Sequence, residues 1–367
     1  MDKKVAFLDL RILDTKERGE ILSAINRVFD HGVMVLGAEC TDLEEKFASL
    51  CRRRYGIGVC SGTTALYLGL RALGIGPGDE VITTALSWVA TANAIAMTGA
   101  SPVFADIRSD LNIDPESVAK LVTKKTKAIL PVHYTGKICA IEKLQAIAQA
   151  HNIDIVEDAA QAFGATRVGN PSGSFGKIAA FSMNPMKVFA ACGEAGMLVT
   201  DDQTLSERLI SLRYNGTINR EVCVESSINA RLDALQAAIL TARLPKVPSV
   251  IARRRELGGL YARRLQGIVE IPLEEPNCTD SYYTYTIKCD KRDELKTFLE
   301  SRGVETKIQH PALMPEQPVY QGKTKGDYPH AQKIVKQILS IPCNEKITNN
   351  QVDYVCDQII EFFKGSR

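Results

Sequence analysis

From about residue 55 the chain alternates short β-rich runs with helical ones, and this alternation narrows its possible folds more than any other feature. Strands separated by helices long enough to cross back over them build βαβ units and a mostly parallel sheet. YGIGVC (55–60) reads as the first strand, and TTALYLGLRAL (63–73), apolar at helical spacing, as a helix. GIGPGDE then turns the chain into the strand VITTA (81–85). The helix WVATANAIAMTG and the strand SPVFADI follow, and NIDPESVAKLV offers Asp114 as an N-cap with Pro115 at the first helical position. The strand KAILPVH (127–133), the helix IEKLQAIAQAH (141–151) and the strand IDIVED (153–158) repeat the unit. Two short strands, KIAAF (177–181) and GMLVT (196–200), come next.

Helical periodicity resumes in LSERLISLRY and RLDALQAAILTARL (231–244), after which Pro245 and Pro248 mark a boundary. Beyond it, YYTYTIKC (282–289) reads as a strand. KRDELKTFLESRG reads as a helix stopped by its glycine, and QVDYVCDQIIEFF as a closing helix. The 367 residues suit two domains of the usual size of about 100–200 residues each or somewhat more. The expected division is a large domain over 1–245, N-terminal segment included, and a smaller C-terminal α/β domain over 246–367.

Charge and cysteine usage exclude several classes. A net charge of +2 argues against a nucleic-acid partner. The basic runs Arg52-Arg53-Arg54 and Arg253-Arg254-Arg255 are short, and the second reads as one solvated helix face. The ten cysteines are scattered, with no CxxC pair and no His/Cys spacing that suits zinc, so free thiols in a reducing cytoplasm and no metal site are expected. MDKKVAFLDL offers only the six-residue, largely apolar VAFLDL before Arg11, too short for a signal peptide or a membrane anchor.

Against this background FSMNPMKVFAACGEAG (181–196) stands out, because Lys187 lies among small and apolar residues with Lys177 and Glu194 as its nearest charges. Burial in weakly polar surroundings lowers an amine's pKa and makes its nucleophilic form available, as Schiff-base chemistry requires. A lysine that snorkels from a loop to cap a helix gives the same pattern. CSGTTALYLGL (60–70) turns from strand to helix through Ser61, Gly62 and Thr63, where unpaired amides and a helix dipole converge on an anion; an ordinary N-cap reads identically. In VEDAAQAFG (156–164), Asp158 and Gln161 share a face at the carboxyl end of a strand, where ligands of open parallel sheets bind. That carboxylate can hold a protonated heterocyclic nitrogen or cap a helix. Ser182, five residues before Lys187, can carry a hydroxyl to the same anion. Trp88, the single tryptophan, also follows a strand end and can stack on a flat ligand or fill the core.

The ordered set SGTTAL, SWVATANAI, VEDAAQAFGA, GSFGKIAAFSMNPMK, GEAGMLVT and INARLDALQAAIL resembles the DegT/StrS family of sugar aminotransferases, in the fold-type-I group of pyridoxal phosphate enzymes. VAFLDL, IQHPAL and IPCNEKIT extend the resemblance over nearly the whole chain. It implies an aspartate-aminotransferase-like large domain around a mostly parallel sheet, with a smaller C-terminal α/β domain. It further implies that Lys187 carries pyridoxal 5′-phosphate as a Schiff base and later moves protons, while Asp158 binds the pyridine nitrogen. Gln161 lies near the ring's phenolic oxygen, Trp88 occupies the stacking position, and Gly62, Thr63 and Ser182 bind phosphate. Asn229 reaches the phosphate of a neighbouring subunit, so a homodimer with shared sites is implied.

The implied reaction is ping-pong. L-Glutamate converts the cofactor to pyridoxamine 5′-phosphate, and a 3- or 4-keto sugar linked to UDP, dTDP or GDP then takes the amine for amino-sugar and polysaccharide biosynthesis, lipopolysaccharide included. Arg231, Lys307 and His310 are candidate cationic partners for the nucleotide diphosphate; each also reads as a surface or interface charge. A pyridoxamine-dependent sugar dehydrase of the same family has histidine in place of the lysine, and Lys187 argues against it. A non-catalytic, cofactor-binding regulator would have lost part of the set Lys187, Asp158 and Gln161. A Rossmann-type oxidoreductase lacks its glycine fingerprint. One departure is SMNPMK, where the family commonly has an aromatic after the serine; Met183 is expected to alter the pocket wall.

Overall fold

A computed structural model describes residues 5–365, so the first four of the ten residues weighed above for a leader segment lie outside it. Two helices the sequence reading did not include, α1 (Thr15–His31) and α2 (Ala38–Leu50), precede the alternation. The alternating units are β1 (Tyr55–Val59), α3 (Gly62–Ala72), β2 (Glu80–Thr84), α4 (Ala90–Met97), β3 (Ser101–Ala105), α5 (Pro115–Leu121), β4 (Thr126–Leu130), α6 (Ile141–His151) and β5 (Asp154–Asp158). Two-residue strands β6 (Thr166–Arg167) and β7 (Asn170–Pro171) lead to β8 (Ile178–Ser182), β9 (Gly196–Thr200) and α7 (Gln203–Leu212). The hairpin β10 (Thr217–Ile218) and β11 (Val222–Cys223) then precedes α8 (Ala234–Arg243).

Seven strands form one sheet in the order β1-β9-β8-β5-β4-β2-β3. The neighbours from β8 to β3 pair in parallel, and only β9, antiparallel to both β1 and β8, runs against the rest. Helices cover both faces, so an inner strand such as β9 is buried at all five positions and carries the apolar run GMLV instead of an alternating one. At its carboxyl end β5 breaks that rule with two buried carboxylates, Glu157 and Asp158. Local chemistry sets the helix starts: Asp114 accepts from the Glu116 amide at 3.1 Å and Pro115 follows it in α5.

The C-terminal part comprises α9 (Val247–Leu265), β12 (Cys278–Thr279), β13 (Tyr285–Lys288), α10 (Arg292–Ser301), α11 (Pro329–Ile334), β14 (Ile338–Ile341) and α12 (Asn349–Gly365). β13 and β14 pair antiparallel, and Leu257, Tyr261, Leu299 and Val355 bury their side chains with Ile287 and Leu339 in a core of their own. Val5 joins that core, its amide donating to Gly303 and its carbonyl accepting from Glu305. β12 pairs with β6, and β6 with β7, which ties the C-terminal part to the large sheet's side of the molecule. Pro248 sits in the first turn of α9, where a missing N–H costs nothing, so the prolines open a helix. Among the described residues no helix is long and apolar enough to cross a membrane.

Two expectations change here. Arg253, Arg254 and Arg255 do not form one solvated face, because consecutive helical residues stand about 100° apart. Arg254 is 3% exposed and donates to Glu345 at 2.8 Å and to the carbonyls of Tyr282 and Tyr283 at 3.1 and 3.3 Å. Met183, expected at a pocket wall, is 1% exposed and packs with Phe47, Phe181 and Phe189 in an apolar cluster.

Candidate active site

The carboxyl ends of β5 and β8, the start of α3 and the loop between β8 and β9 converge on one region. Lys187 lies in that loop, its amide bonded to the Asn184 carbonyl at 2.9 Å. Its side chain is half-buried, and Nζ stands 4.5 Å from the centroid of the Tyr283 ring. Among the described residues Lys187 forms no ion pair; an aromatic face, which attracts a cation weakly, takes that place. Lys187 also lines a cleft of about 730 Å³ bounded by residues 8–14, 185–192 and 344–346. Lys346 and Asn344 hold the N-terminal wall of this cleft through the carbonyls of Asp9 at 2.7 Å and Phe7 at 3.2 Å.

Asp158 ends β5 with its main chain locked on both sides. Its amide donates to Pro131 at 2.9 Å and its carbonyl accepts from His133 at 3.0 Å. Among the described residues the carboxylate receives two hydrogen bonds, from the Thr91 hydroxyl at 2.8 Å and the Ala160 amide at 3.2 Å. Burial pushes its pKa above the ordinary carboxylate value, outweighing those two bonds and the nearby charge of Lys187. Gln161, one turn on, accepts the Thr135 amide at 2.8 Å, and Thr135 adopts a left-handed φ of 61° to deliver it.

Gly62 begins α3 directly against Ser182. A Cβ at residue 62 would lie 2.6 Å from the Ser182 Cβ, so only glycine lets the helix start approach the end of β8 this closely. Ser61 caps the helix by accepting the Thr64 amide at 3.1 Å, and the amides of Gly62 and Thr63 precede the first intrahelical bonds. Amides, dipole and the Ser182 hydroxyl therefore meet at one anion-sized place.

Trp88 is 62% exposed, which removes the core alternative, and its ring lies 6.2 Å from that of His310 at 37°. His310 bonds through Nδ1 to the Tyr134 hydroxyl at 2.7 Å. Burial first, then the charges of Lys187 and Lys307, push its pKa down to about 3, which disfavours the cation expected of it. Lys307 is exposed. Asn229 and Arg231 bond to each other at 2.7 Å, and the Arg231 guanidinium covers the Tyr214 ring at 4.7 Å. Their segment pairs with the outer side of β1 through Val59 and with Tyr214, so among the described residues neither bonds to a member of the set other than its partner here.

Sequence reasoning missed Thr91, Thr135, Tyr283 and Arg254. Thr91 stands one turn after Trp88 in α4, a spacing that could have flagged it. Thr135 precedes Gly136 in a tight turn. Nothing local marks Tyr283, which meets Lys187 only through the packing of the C-terminal part, with Arg254 holding its carbonyl.

A family model for the DegT/DnrJ/EryC1/StrS aminotransferase family matches residues 15–360. The chain is 38% identical to a pleiotropic regulatory protein of Geobacillus stearothermophilus, covering 98% of this chain and 99% of that one. It is 37% identical to dTDP-3-amino-3,4,6-trideoxy-alpha-D-glucose transaminase of Streptomyces venezuelae, covering 98% and 96%. Among solved structures it matches S. venezuelae DesV in complex with a ketimine intermediate, with a TM-score of 0.95, 37% identity and coverage of 98% and 99%. The chain belongs to the DegT/DnrJ/EryC1/StrS aminotransferase family, whose cofactor is pyridoxal phosphate.

Proposed function

We propose that the protein transfers an amino group from L-glutamate to the ketone of a nucleotide-linked sugar, at C3 or C4. The transaminase of S. venezuelae, similar along nearly its whole length, supports the sugar nucleotide as substrate class. The observation that carries the reading is the juxtaposition of Lys187, which forms no ion pair among the described residues, with the buried and under-bonded Asp158.

The residues present fit pyridoxal phosphate. The Gly62–Ser182 approach leaves amides and a hydroxyl for phosphate, and Asp158 has acceptor capacity to spare for a ring N–H. Bound there, the cofactor supplies an aldehyde that condenses with amines and a protonated pyridine that accepts the electron pair left by an α-proton. Gly62, Thr63 and Ser182 would hold the phosphate. Asp158 would hold the proton at the ring nitrogen, Gln161 the phenolic oxygen, and Trp88 would cover one ring face. Lys187 Nζ would take the proton from the donor's α-carbon and return it at the carbon on the far side of the nitrogen, two atoms along, and in the second half-reaction it would work in reverse. Tyr283 orients that amine. Arg231 and Lys307 remain the cations for a nucleotide diphosphate, with His310 as an uncharged hydrogen-bonding group.

A homodimer with shared sites is part of the proposal. Asn229 pairs with Tyr214, from which the chain runs into the β10–β11 hairpin with exposed Ile218 and Val222, an apolar surface that a second copy would cover while bringing Asn229 and Arg231 to its neighbour's phosphate. The ten free cysteines fit a reducing cytoplasm. One relative's name favours a second reading, a regulator that binds cofactor without turnover. A panel of keto-sugar nucleotides incubated with glutamate separates the two. Release of 2-oxoglutarate with stoichiometric amino-sugar formation is expected, and a protein that takes up cofactor yet turns over no member of the panel would favour the regulator.

A further inference from the structure

One buried cluster is left unused by that mechanism. Glu157 and His133 are both wholly buried, Glu157 beside Asp158 on β5 and His133 three residues beyond the end of β4. His133 Nε2 donates to Glu157 Oε2 at 2.9 Å, and its Nδ1 accepts the Cys139 amide at 3.4 Å, which fixes the tautomer. The same carboxylate accepts three backbone amides from the loop after β7: Gly173 at 2.9 Å, Phe175 at 2.8 Å and Gly176 at 2.7 Å. That loop closes around it only because Gly173 takes a φ of +90°, and because a Cβ on Gly176 would sit 2.6 Å from the Ile155 carbonyl. Arg53 draws the loop tighter through the carbonyls of Gly173 and Gly176, its guanidinium 4.0 Å from Glu157.

We infer that His133 is a positioning residue for Asp158, with Glu157 as its anchor. His133 holds this strand end from two directions: its amide bonds the Asp158 carbonyl, and its ring bonds the side chain of the preceding residue. The extension of β4 through Val132 pairs with Asp158, so a shift of the His133 ring moves the strand end that aims the carboxylate. Displacement of a reacting group's partner by about 1 Å costs on the order of 100-fold in rate, whereas the loss of one internal hydrogen bond barely changes the fold of a domain this size.

The inference rests on Asp158 facing the ring nitrogen. Its test uses His133→Phe, which keeps a ring but no donor, and His133→Gln, whose amide nitrogen falls where Nε2 stood. In H133F the dissociation constant for pyridoxal phosphate, titrated by absorbance, should rise about tenfold and kcat should fall about tenfold or more, with KM for the keto sugar unchanged. H133Q should recover most of both. In the unsubstituted, cofactor-free protein, NMR of nitrogen-15-labelled histidine should show one slowly exchanging Nε2 proton that H133Q removes, a measurement that survives even if H133F does not fold. The inference is overturned if H133F binds cofactor and turns over within twofold of the parent, if H133Q is as impaired as H133F, or if no protected proton is seen. Asp158→Asn separates this from failure of the underlying reading: full activity in D158N would sink the placement of Asp158 itself.

Discussion

Glu157 and Asp158 are neighbours on one strand, both buried, and they have opposite fates. Strand geometry points them to opposite faces of β5. On one face Glu157 meets three amides and an imidazole, which together outweigh burial and hold its pKa below the ordinary value. On the other face Asp158 has two donors, and burial wins. A carboxylate whose lone pairs are filled by the protein is part of the fold. One left short of donors in a buried place is set aside for a ligand that brings its own.

That contrast can be broken by amide substitutions at the two positions. Asp158→Asn should lower kcat for the glutamate half-reaction about 100- to 1000-fold, the scale of losing a pre-organised charge partner, while its denaturant midpoint stays level or rises. Stopped-flow kinetics and urea unfolding read the two effects. Glu157→Gln should do the reverse in kind: about 3 kcal/mol of stability lost, because its amide nitrogen then faces backbone N–H groups, with kcat lowered only about tenfold. Equal damage to rate and stability in both variants would erase the distinction.

Smaller effects sharpen it. His310 is a base whose folded pKa of about 3 lies below its free value of 6.5, so the unfolded chain takes the proton first. Its contribution is present above 6.5 and lost as pH falls toward 3. Between pH 7 and pH 5 the parent should therefore lose about 2 kcal/mol that His310→Gln does not, seen as the difference between two unfolding series. Gly62→Ala forces the start of α3 away from Ser182 and should weaken pyridoxal phosphate binding about tenfold without altering the spectrum of what binds; unchanged affinity would remove the phosphate from that helix.

Much of this was legible in the chain because it is local. Strand and helix periods place β1, β2, β3, β5, β8 and β9 within a residue or two, while β4 ends three residues before its expected end and the two-residue β6 and β7 carry no period to read; Asp114 and Pro115 start α5 as their chemistry dictates. The resemblance assigned roles to Lys187 and Asp158 from motifs a few residues long. What stayed hidden depends on distant packing. Tyr283 reaches Lys187 from the far third of the chain, and the arginine run at 253–255 looks solvated until Arg254 is found buried against Glu345 and the Tyr283 carbonyl. The strand expected over 282–289 shortens to Tyr285–Lys288 for the same reason, since Tyr282 takes a φ of 46° as the chain turns to present its neighbour. His310 misled in the opposite sense, because a histidine's charge is set by its burial and not by its type.

Peptide mapping after borohydride reduction asks most directly whether Lys187 is the amine that the rest of the pocket serves. The protein reconstituted with pyridoxal phosphate should lose its near-visible absorbance on reduction and carry one phosphopyridoxyl group, on the peptide that contains Lys187. Recovery of the label on any other lysine, or a reconstituted protein that takes up none, would contradict the assignment.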